Sequence, residues 1–313
     1  MIVVLGHSII LYSSEWGLYS SIYSVPFLDM MKKVINLVQM PLFFSLSGFL
    51  LYRDRKIGFK KFVFKKMQRL LIPFLCISLL WMVPIKCAVG YRNYQFASFW
   101  NIYLEDIILQ HDTGHLWFLP TLFFGLIICY WTDQLSEQND RKLRIFALTI
   151  FAFMNLFSGH ISVSLVANVM QNTIWIYLGN MFHYYNDQIR QDNNTLVKVA
   201  ASILSILSLV IAIKHSIAIF NIIVSAFSVL TFYLCVPNKQ NAILGFLSKY
   251  SFGIYLIHSP LVYITYTYFA NANPGLVFIL NFFVFGLVAI LLSMLLTNSP
   301  LKVLLGLKVK NVR

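Results

Sequence analysis

Apolar residues run through this chain in long blocks separated by short polar connections. The blocks cover residues 1–12, 35–52, 70–89, 115–131, 143–158, 165–185, 196–213, 216–236, 248–269 and 275–297. A helix rises about 1.5 Å per residue, so a block of about 20 residues crosses the roughly 30 Å hydrocarbon core of a bilayer. Barrel strands need only about 10 residues, with alternating polarity, so blocks of this length predict helices. The pattern therefore predicts an all-α, polytopic transmembrane helical bundle of about ten spans. The first block is the exception, because twelve residues rise only about 18 Å. The first span is expected to be truncated at its N-terminus, lacking its front half. No small-residue cleavage site follows it, so it is expected to be retained as a span. No long polar block interrupts the pattern, which predicts a single integral membrane domain over residues 1–313.

Composition sharpens the class. Hydrophobic residues make up 59% of the chain and charged ones only 11%, with 28 Phe and 17 Tyr, values of a membrane protein rather than a soluble domain. Charge then gives the orientation, because Lys and Arg gather on the cytoplasmic side. On one set of alternate connections stand eight basic residues at 53–69, three at 141–144, Arg190 with Lys198, Lys239 with Lys249, and four in the C-terminal tail. The other set holds Lys32, Lys33, Lys86, Arg92 and Lys214. Both termini are thus expected in the cytoplasm. The net charge of +13 is accounted for by topology and by anionic membrane lipid, and implies no nucleic acid.

Against this apolar background His7 stands out, a titratable ring in the run MIVVLGHSIILY. Such a ring at membrane depth faces a bundle interior or a wet cavity, which makes it a functional candidate by default. From the residues alone, two readings of His7 are level: a reactive base, or a packing group that donates one hydrogen bond to a neighbouring helix. Every Asp and Glu falls in a connection or at the end of a block, whereas ion-coupled transporters usually carry such charges at mid-membrane. Cys76, Cys87, Cys129 and Cys235 are scattered, without metal-ligand or redox spacing, and are expected to face lipid or to pack. The histidines lie on different blocks without an acidic neighbour, so no metal is implied.

Five segments carry a resemblance. VVLGHS (3–8), PLFFSLSGFLL (41–51), KKMQRLLIPF (65–74), HLWFL (115–119) and SFGIYLIHSPL (251–261) occur in this order. Together they resemble the acyltransferase 3 family, the multi-span bacterial O-acyltransferases that modify surface sugars and include fucose 4-O-acetylase-like enzymes. The resemblance implies transfer of an acyl group, most often acetyl, from acyl-CoA to a hydroxyl of a cell-surface carbohydrate or lipid-linked glycan. It implies a bacterial inner-membrane location, acetyl-CoA as a co-substrate, and no permanently bound cofactor.

In that family the first span carries an Arg or Lys, ten residues, and then the His. His7 matches that His, and the Arg or Lys would fall eleven positions earlier, before Met1. A neutral imidazole could take the proton of a sugar hydroxyl as it attacks the thioester, which makes His7 the expected general base. Arg69 matches the family's motif arginine and is expected to bind the phosphates of acyl-CoA, with Lys66 behind it where an Arg is commoner. Most of that basic stretch also reads as ordinary positive-inside residues. His115 and His258 match family motifs near the outer side and are expected to bind the acceptor or relay its proton. His111 and Asp112 read equally well as an interfacial loop, with Trp100 and Trp117 as anchors. Ser47 and Gly48 read as small residues that let helices approach closely. Two rivals stay open on the sequence: a transporter or flippase of a glycan precursor, and an inactive acyltransferase relative.

Overall fold

The computed structural model describes residues 2–13, 25–54, 56–136, 141–185, 195–214, 218–235, 241–269 and 271–307. The described residues are mostly helical, with no strand among them. In chain order the main helices are α1 (Ile2–Ser8), α2 (Pro26–Phe49), α3 (Phe59–Ala88), α4 (Gly114–Leu135), α5 (Arg141–Phe157), α6 (Ser164–Tyr184), α7 (Thr195–Lys214), α8 (Ala218–Cys235), α9 (Ala242–Tyr268) and α10 (Pro274–Asn298). The described part of each apolar block falls largely on one of them, α1 taking only seven residues of the first block. Among the described residues, six segments are long and apolar enough to cross a membrane: Pro26–Asp54, Phe59–Ala88, Gly114–Leu135, Arg141–His160, Thr195–Ile213 and Pro274–Asn298. Ile219–Cys235 is apolar but shorter. α6 and α9 fall outside this set, because amides, hydroxyls and rings interrupt their apolar runs.

Several helices outrun the apolar blocks. α2 starts at Pro26, whose fixed φ suits a first helical turn. α3 takes in most of the basic stretch, since Phe59 and Phe62 are three positions apart and share a face. Phe62 is fully buried, and its ring stacks on Tyr130 at a centroid distance of 4.5 Å. α9 begins at Ala242 because the side chain of Asn241 accepts a bond from the Ile243 N–H, satisfying one of the free donors at the helix start. α3 is also not a uniform helix. Two of its turns are of the wider π type, Met67–Leu71 and Ser78–Met82, and Pro73 and Pro84 follow each by two residues. Proline has no N–H for the carbonyl four positions back, here Arg69 and Leu80, and those carbonyls lie inside the π turns.

The chain divides into two compact units. The first comprises residues 1–32, 65–120 and 239–313, and so holds α1, most of α3, the start of α4, α9 and α10. α9 is its buried centre, with Tyr250, Gly253, Ile254 and all of 256–263 inaccessible. Gly253 admits α10, since a Cβ there would stand 2.2 Å from the Ser293 hydroxyl oxygen.

The second unit comprises residues 33–64 and 121–238. Its tightest crossing lies between α2 and α6. A Cβ on Gly48 would stand 1.8 Å from the Ile176 carbonyl oxygen, and one on Gly179 would stand 1.9 Å from the Ser45 carbonyl oxygen. The two glycines thus let the backbones touch reciprocally, the small-residue packing that membranes favour where no hydrophobic drive exists between helices. In the same unit Arg144 is buried, donates to Asp133 at 3.1 Å and lies 3.7 Å over the Tyr184 ring. α7 is the opposite case, with Leu196, Ile206 and Leu207 exposed as a lipid-facing surface would be.

Backbone atoms cannot move aside as a flexible side chain can. Gly48→Ala and Gly179→Ala are each expected to cost at least roughly 1–3 kcal/mol, seen as a lowered midpoint of thermal unfolding in detergent. Gly245→Ala in α9, which would meet nothing within 4 Å, is expected to leave that midpoint unchanged or slightly raised.

Candidate functional site

The first unit brings three histidines together from distant parts of the chain. His7 lies in the last turn of α1, His115 in the opening 3-10 turn of α4, and His258 midway along α9. His7 Nδ1 is 2.8 Å from His258 Nε2, and their ring centroids are 5.0 Å apart. The His115 centroid lies 6.1 Å from that of His7 and 5.7 Å from that of His258. His258 is 2% exposed and His115 6%, whereas His7 is half-buried and is the most accessible of the three. Lys32 at the start of α2 is also buried and acts electrostatically on His7.

Each ring is placed by backbone around it. α1 is short, yet it is tied down after it ends: the Val25 N–H bonds the Tyr12 carbonyl, the Tyr12 hydroxyl donates to the Ala272 carbonyl, and the Ser13 hydroxyl donates to Asp29. In α9 the Nδ1 of His258 bonds the Ile254 carbonyl at 2.9 Å, one turn back. Trp81, in the second π turn of α3, donates its indole N–H to the Ile257 carbonyl at 3.0 Å, fixing α3 against the same stretch. Pro260 has no N–H for the Leu256 carbonyl, and the backbone of Leu256 and Tyr255 acts on the His115 ring. No side chain bonds either ring nitrogen of His115. Its backbone is held instead, since the Tyr255 hydroxyl donates to the His115 carbonyl at 2.6 Å. Gly114 must precede it: φ is +50°, and a Cβ there would crowd the Tyr263 hydroxyl and the Met82 methyl.

A charged network lies just before His115 in sequence. Lys86, 0% exposed, donates to Asp106 at 3.2 Å and to the Asp112 carbonyl at 2.9 Å, and pairs with the Asp112 carboxylate at 3.0 Å. Tyr94 donates to Asp106 at 3.0 Å, and Arg92 reaches Asp112 at 3.7 Å. The Tyr94 hydroxyl is pushed up to about 12, mainly by burial and further by the Asp106 carboxylate, while its bond to Arg92 opposes the rise. Burial works against the Arg92 cation, but the bond to Tyr94 and the nearby carboxylates outweigh it and hold its pKa above the ordinary value. The Asp112 carboxylate also accepts from the Gly114 N–H at 3.3 Å, so the network reaches the turn that carries His115.

Arg69 lies inside the first π turn of α3, with Lys66 just before it. The Arg69 guanidinium sits 5.1 Å over the Phe252 ring, six residues and about 9 Å of helix rise from His258. After α10, Gly306 packs on this turn, where a Cβ would stand 2.5 Å from the Gln68 carbonyl oxygen and 3.0 Å from the Arg69 Cα.

A family model described as an acyltransferase domain matches residues 1–298 of the 313-residue chain. The chain belongs to the acyltransferase 3 family. No curated protein and no solved structure matches it. Membership, with the long apolar helices, makes this a multi-pass membrane protein with an acyltransferase kind of function. The segments in which the resemblance was read supply His7, His115 and His258, which converge. Arg69 and Lys66 lie in the same unit along α3. Asp112 is buried by ion pairing, and His111 is an exposed partner of Glu105 at 3.2 Å. Among the described residues no three His, Cys, Asp or Glu side chains are placed to hold a metal ion.

Sequence reasoning passed over Lys86, Asp106 and Lys32. Lys86 had a signal of its own, a lone charge inside the apolar block 70–89, and such a charge implies a buried partner. What the spacing could not say was that the partners stand 20 and 26 residues downstream.

Removing one member of a buried ion pair leaves the others uncompensated. Lys86→Met is expected to destabilise the protein by roughly 3–5 kcal/mol, read as loss of folded protein in detergent and a lowered unfolding midpoint. Lys86→Met combined with Asp106→Leu is expected to cost less than the sum of the two single changes.

Proposed function

We propose that the chain is a membrane O-acyltransferase that moves an acyl group, most often acetyl, from acyl-CoA to a hydroxyl of a cell-surface carbohydrate or lipid-linked glycan. The observation that carries this reading is the convergence of His7, His115 and His258 in one buried cluster with His7 as its accessible member. In the reaction, the acceptor oxygen attacks the thioester carbonyl carbon while His7 takes the hydroxyl proton. The C–S bond then breaks, the new C–O ester bond remains, and the departing thiolate recovers the proton from His7 to leave as free CoA. An imidazole suits both halves, because its pKa lies between those of an acid and a base strong enough to hold the proton permanently.

Arg69, with Lys66 one turn earlier, binds the CoA phosphates in this reading, and the guanidinium fork matches a phosphate in geometry as well as charge. The basic side of the chain is then the cytoplasmic side, where both termini lie, and the apolar blocks form about ten spans in a bacterial inner membrane. The lysine and arginine asymmetry along the sequence supports that orientation. His115 and His258 stand beside His7 to bind the acceptor or relay its proton, and no cofactor stays bound.

Membranes containing the protein, given radiolabelled acetyl-CoA and a glycan acceptor, are expected to build label into the glycan. His7→Ala is expected to lower that rate by roughly 10²–10⁴-fold, the usual worth of a general base. An unchanged rate would eliminate His7 as the base, and movement of unmodified glycan without acetyl-CoA would point to a transporter. Arg69→Ala is expected to raise the KM for acyl-CoA roughly tenfold or more, the worth of a charged hydrogen bond, with kcat nearly unchanged. Lys66→Ala should act in the same direction and more weakly.

A further inference from the structure

The donors and acceptors of the histidine cluster can be followed one bond at a time. A carbonyl oxygen only accepts, so in the bond between Ile254 and His258 the Nδ1 of His258 is the donor and carries the proton. A neutral imidazole has one N–H, which leaves the Nε2 of His258 as a lone-pair acceptor. That nitrogen lies 2.8 Å from His7 Nδ1, so His7 Nδ1 must carry a hydrogen and donate it. By the same count the Nε2 of His7 is its lone-pair nitrogen. A doubly protonated His258 would reverse the second bond, but it would bury a cation that is 2% exposed between two other imidazoles, a costly arrangement.

We propose that His258 is a positioning residue that fixes His7 in its Nδ1–H tautomer, with Nε2 as the reactive nitrogen, and that His115 is the ring left to meet the acceptor hydroxyl. His258 has committed both ring nitrogens to the protein, one to a backbone carbonyl and one to His7. It therefore has no polar atom to offer an acceptor. His115 is the reverse: its backbone carbonyl is fixed by Tyr255, while no side chain bonds either ring nitrogen and only the Leu256 and Tyr255 backbone acts on the ring, about 6 Å from that of His7. The arrangement matches the logic of a catalytic triad, with a neutral imidazole anchored on Ile254 in place of the usual carboxylate. When His7 Nε2 takes the hydroxyl proton, the imidazolium formed donates through Nδ1 to His258 in a charge-assisted bond, stronger than the one it replaces. The catalytic consequence rests on His7 acting as the base. The tautomer does not, since it follows from the hydrogen bonds alone.

The test reads the tautomer directly. The protein is labelled with [15N]histidine and reconstituted in lipid, and the His7 signals are assigned by their loss in His7→Asn. Nitrogen NMR is expected to show a protonated Nδ1 and a bare Nε2 on His7 at neutral pH. In His258→Phe, which keeps a ring and removes the acceptor, the His7 signals are expected to shift toward the Nε2–H form. In the acyl-transfer assay that variant is expected to lose roughly 100-fold or more in kcat with little change in the KM of either substrate. His258→Gln places an amide oxygen where Nε2 stood, and is expected to recover a large part of both the tautomer and kcat. A protonated Nε2 on His7 in the unaltered protein would overturn the proposal, as would a His258→Phe protein that folds and keeps both the tautomer and kcat. If the tautomer is as expected but no acyl transfer occurs with any acceptor, the positioning by His258 stands and the acyltransferase chemistry falls. His115→Phe separates the remaining part: it is expected to leave the His7 tautomer in place and to raise the KM for acceptor, and an unchanged acceptor KM would remove His115 from that role.

Discussion

A polar side chain buried among packed helices has to find its partners inside the protein, because no water is there to replace them. In this chain that constraint runs from the Ile254 carbonyl through His258 to His7, joining residues 251 positions apart in sequence. The first link is local, one helical turn long, and so is present whenever α9 is helical. The second is tertiary and exists only when α1 is seated. The first unit therefore has to hold a helix of seven residues in place, and it does so with the bonds of Tyr12, Ser13 and Val25 just beyond the end of α1 together with the buried apolar side chains of Val4, Ile9 and Leu11.

Both units use glycine for close approach. In the second, Gly48 and Gly179 each lie where any Cβ would enter the opposite backbone, and in the first Gly253 and Gly306 leave room for Ser293 and the Gln68 carbonyl. The first adds altered helix geometry. The π turns at Met67–Leu71, Ser78–Met82 and Leu280–Val284 each carry a residue used in a tertiary contact: Arg69 over Phe252, Trp81 to the Ile257 carbonyl, and Asn281 accepting from Thr265. A π turn shifts the side chains that follow it relative to the regular 3.6-residue repeat, so a residue can be aimed where that repeat would not place it. Such turns are found where function requires a particular direction.

Much of the fold was legible because apolar blocks report the solvent they face. Block lengths gave helices, and the described part of each block falls largely on one. Pro26, Asn241 and the Phe59 to Phe62 spacing explain why α2, α3 and α9 reach beyond their blocks, and those signals are local chemistry that hydropathy does not weigh. His7 was legible for a related reason, since an expensive group in an apolar run announces itself, whereas His115 and His258 were marked by the family resemblance. Their mutual geometry was not, because a hydropathy pattern says what a residue avoids and not which residue it meets. Lys86 shows the same limit more sharply. Its presence in an apolar block implied a partner, but Asp106 and Asp112 sit in a polar connection where carboxylates are ordinary, and nothing in their neighbours marks them as buried.

The charged network lies before α4 and the histidine cluster begins on it, and the separation has a chemical reason. Lys86, Asp106 and Asp112 hold one another and, through the Gly114 N–H, the turn that leads into His115. The Tyr255 hydroxyl then fixes the His115 carbonyl without touching its ring nitrogens. The backbone at His115 is thus set by strong interactions three residues away, while no side chain takes a nitrogen of the ring. Had a carboxylate met the ring directly, it would have favoured an imidazolium and consumed a nitrogen. A site that must lend hydrogen-bonding atoms to a substrate needs its position fixed and its side chain free, and placing the ion pairs before the turn rather than in the cluster provides both.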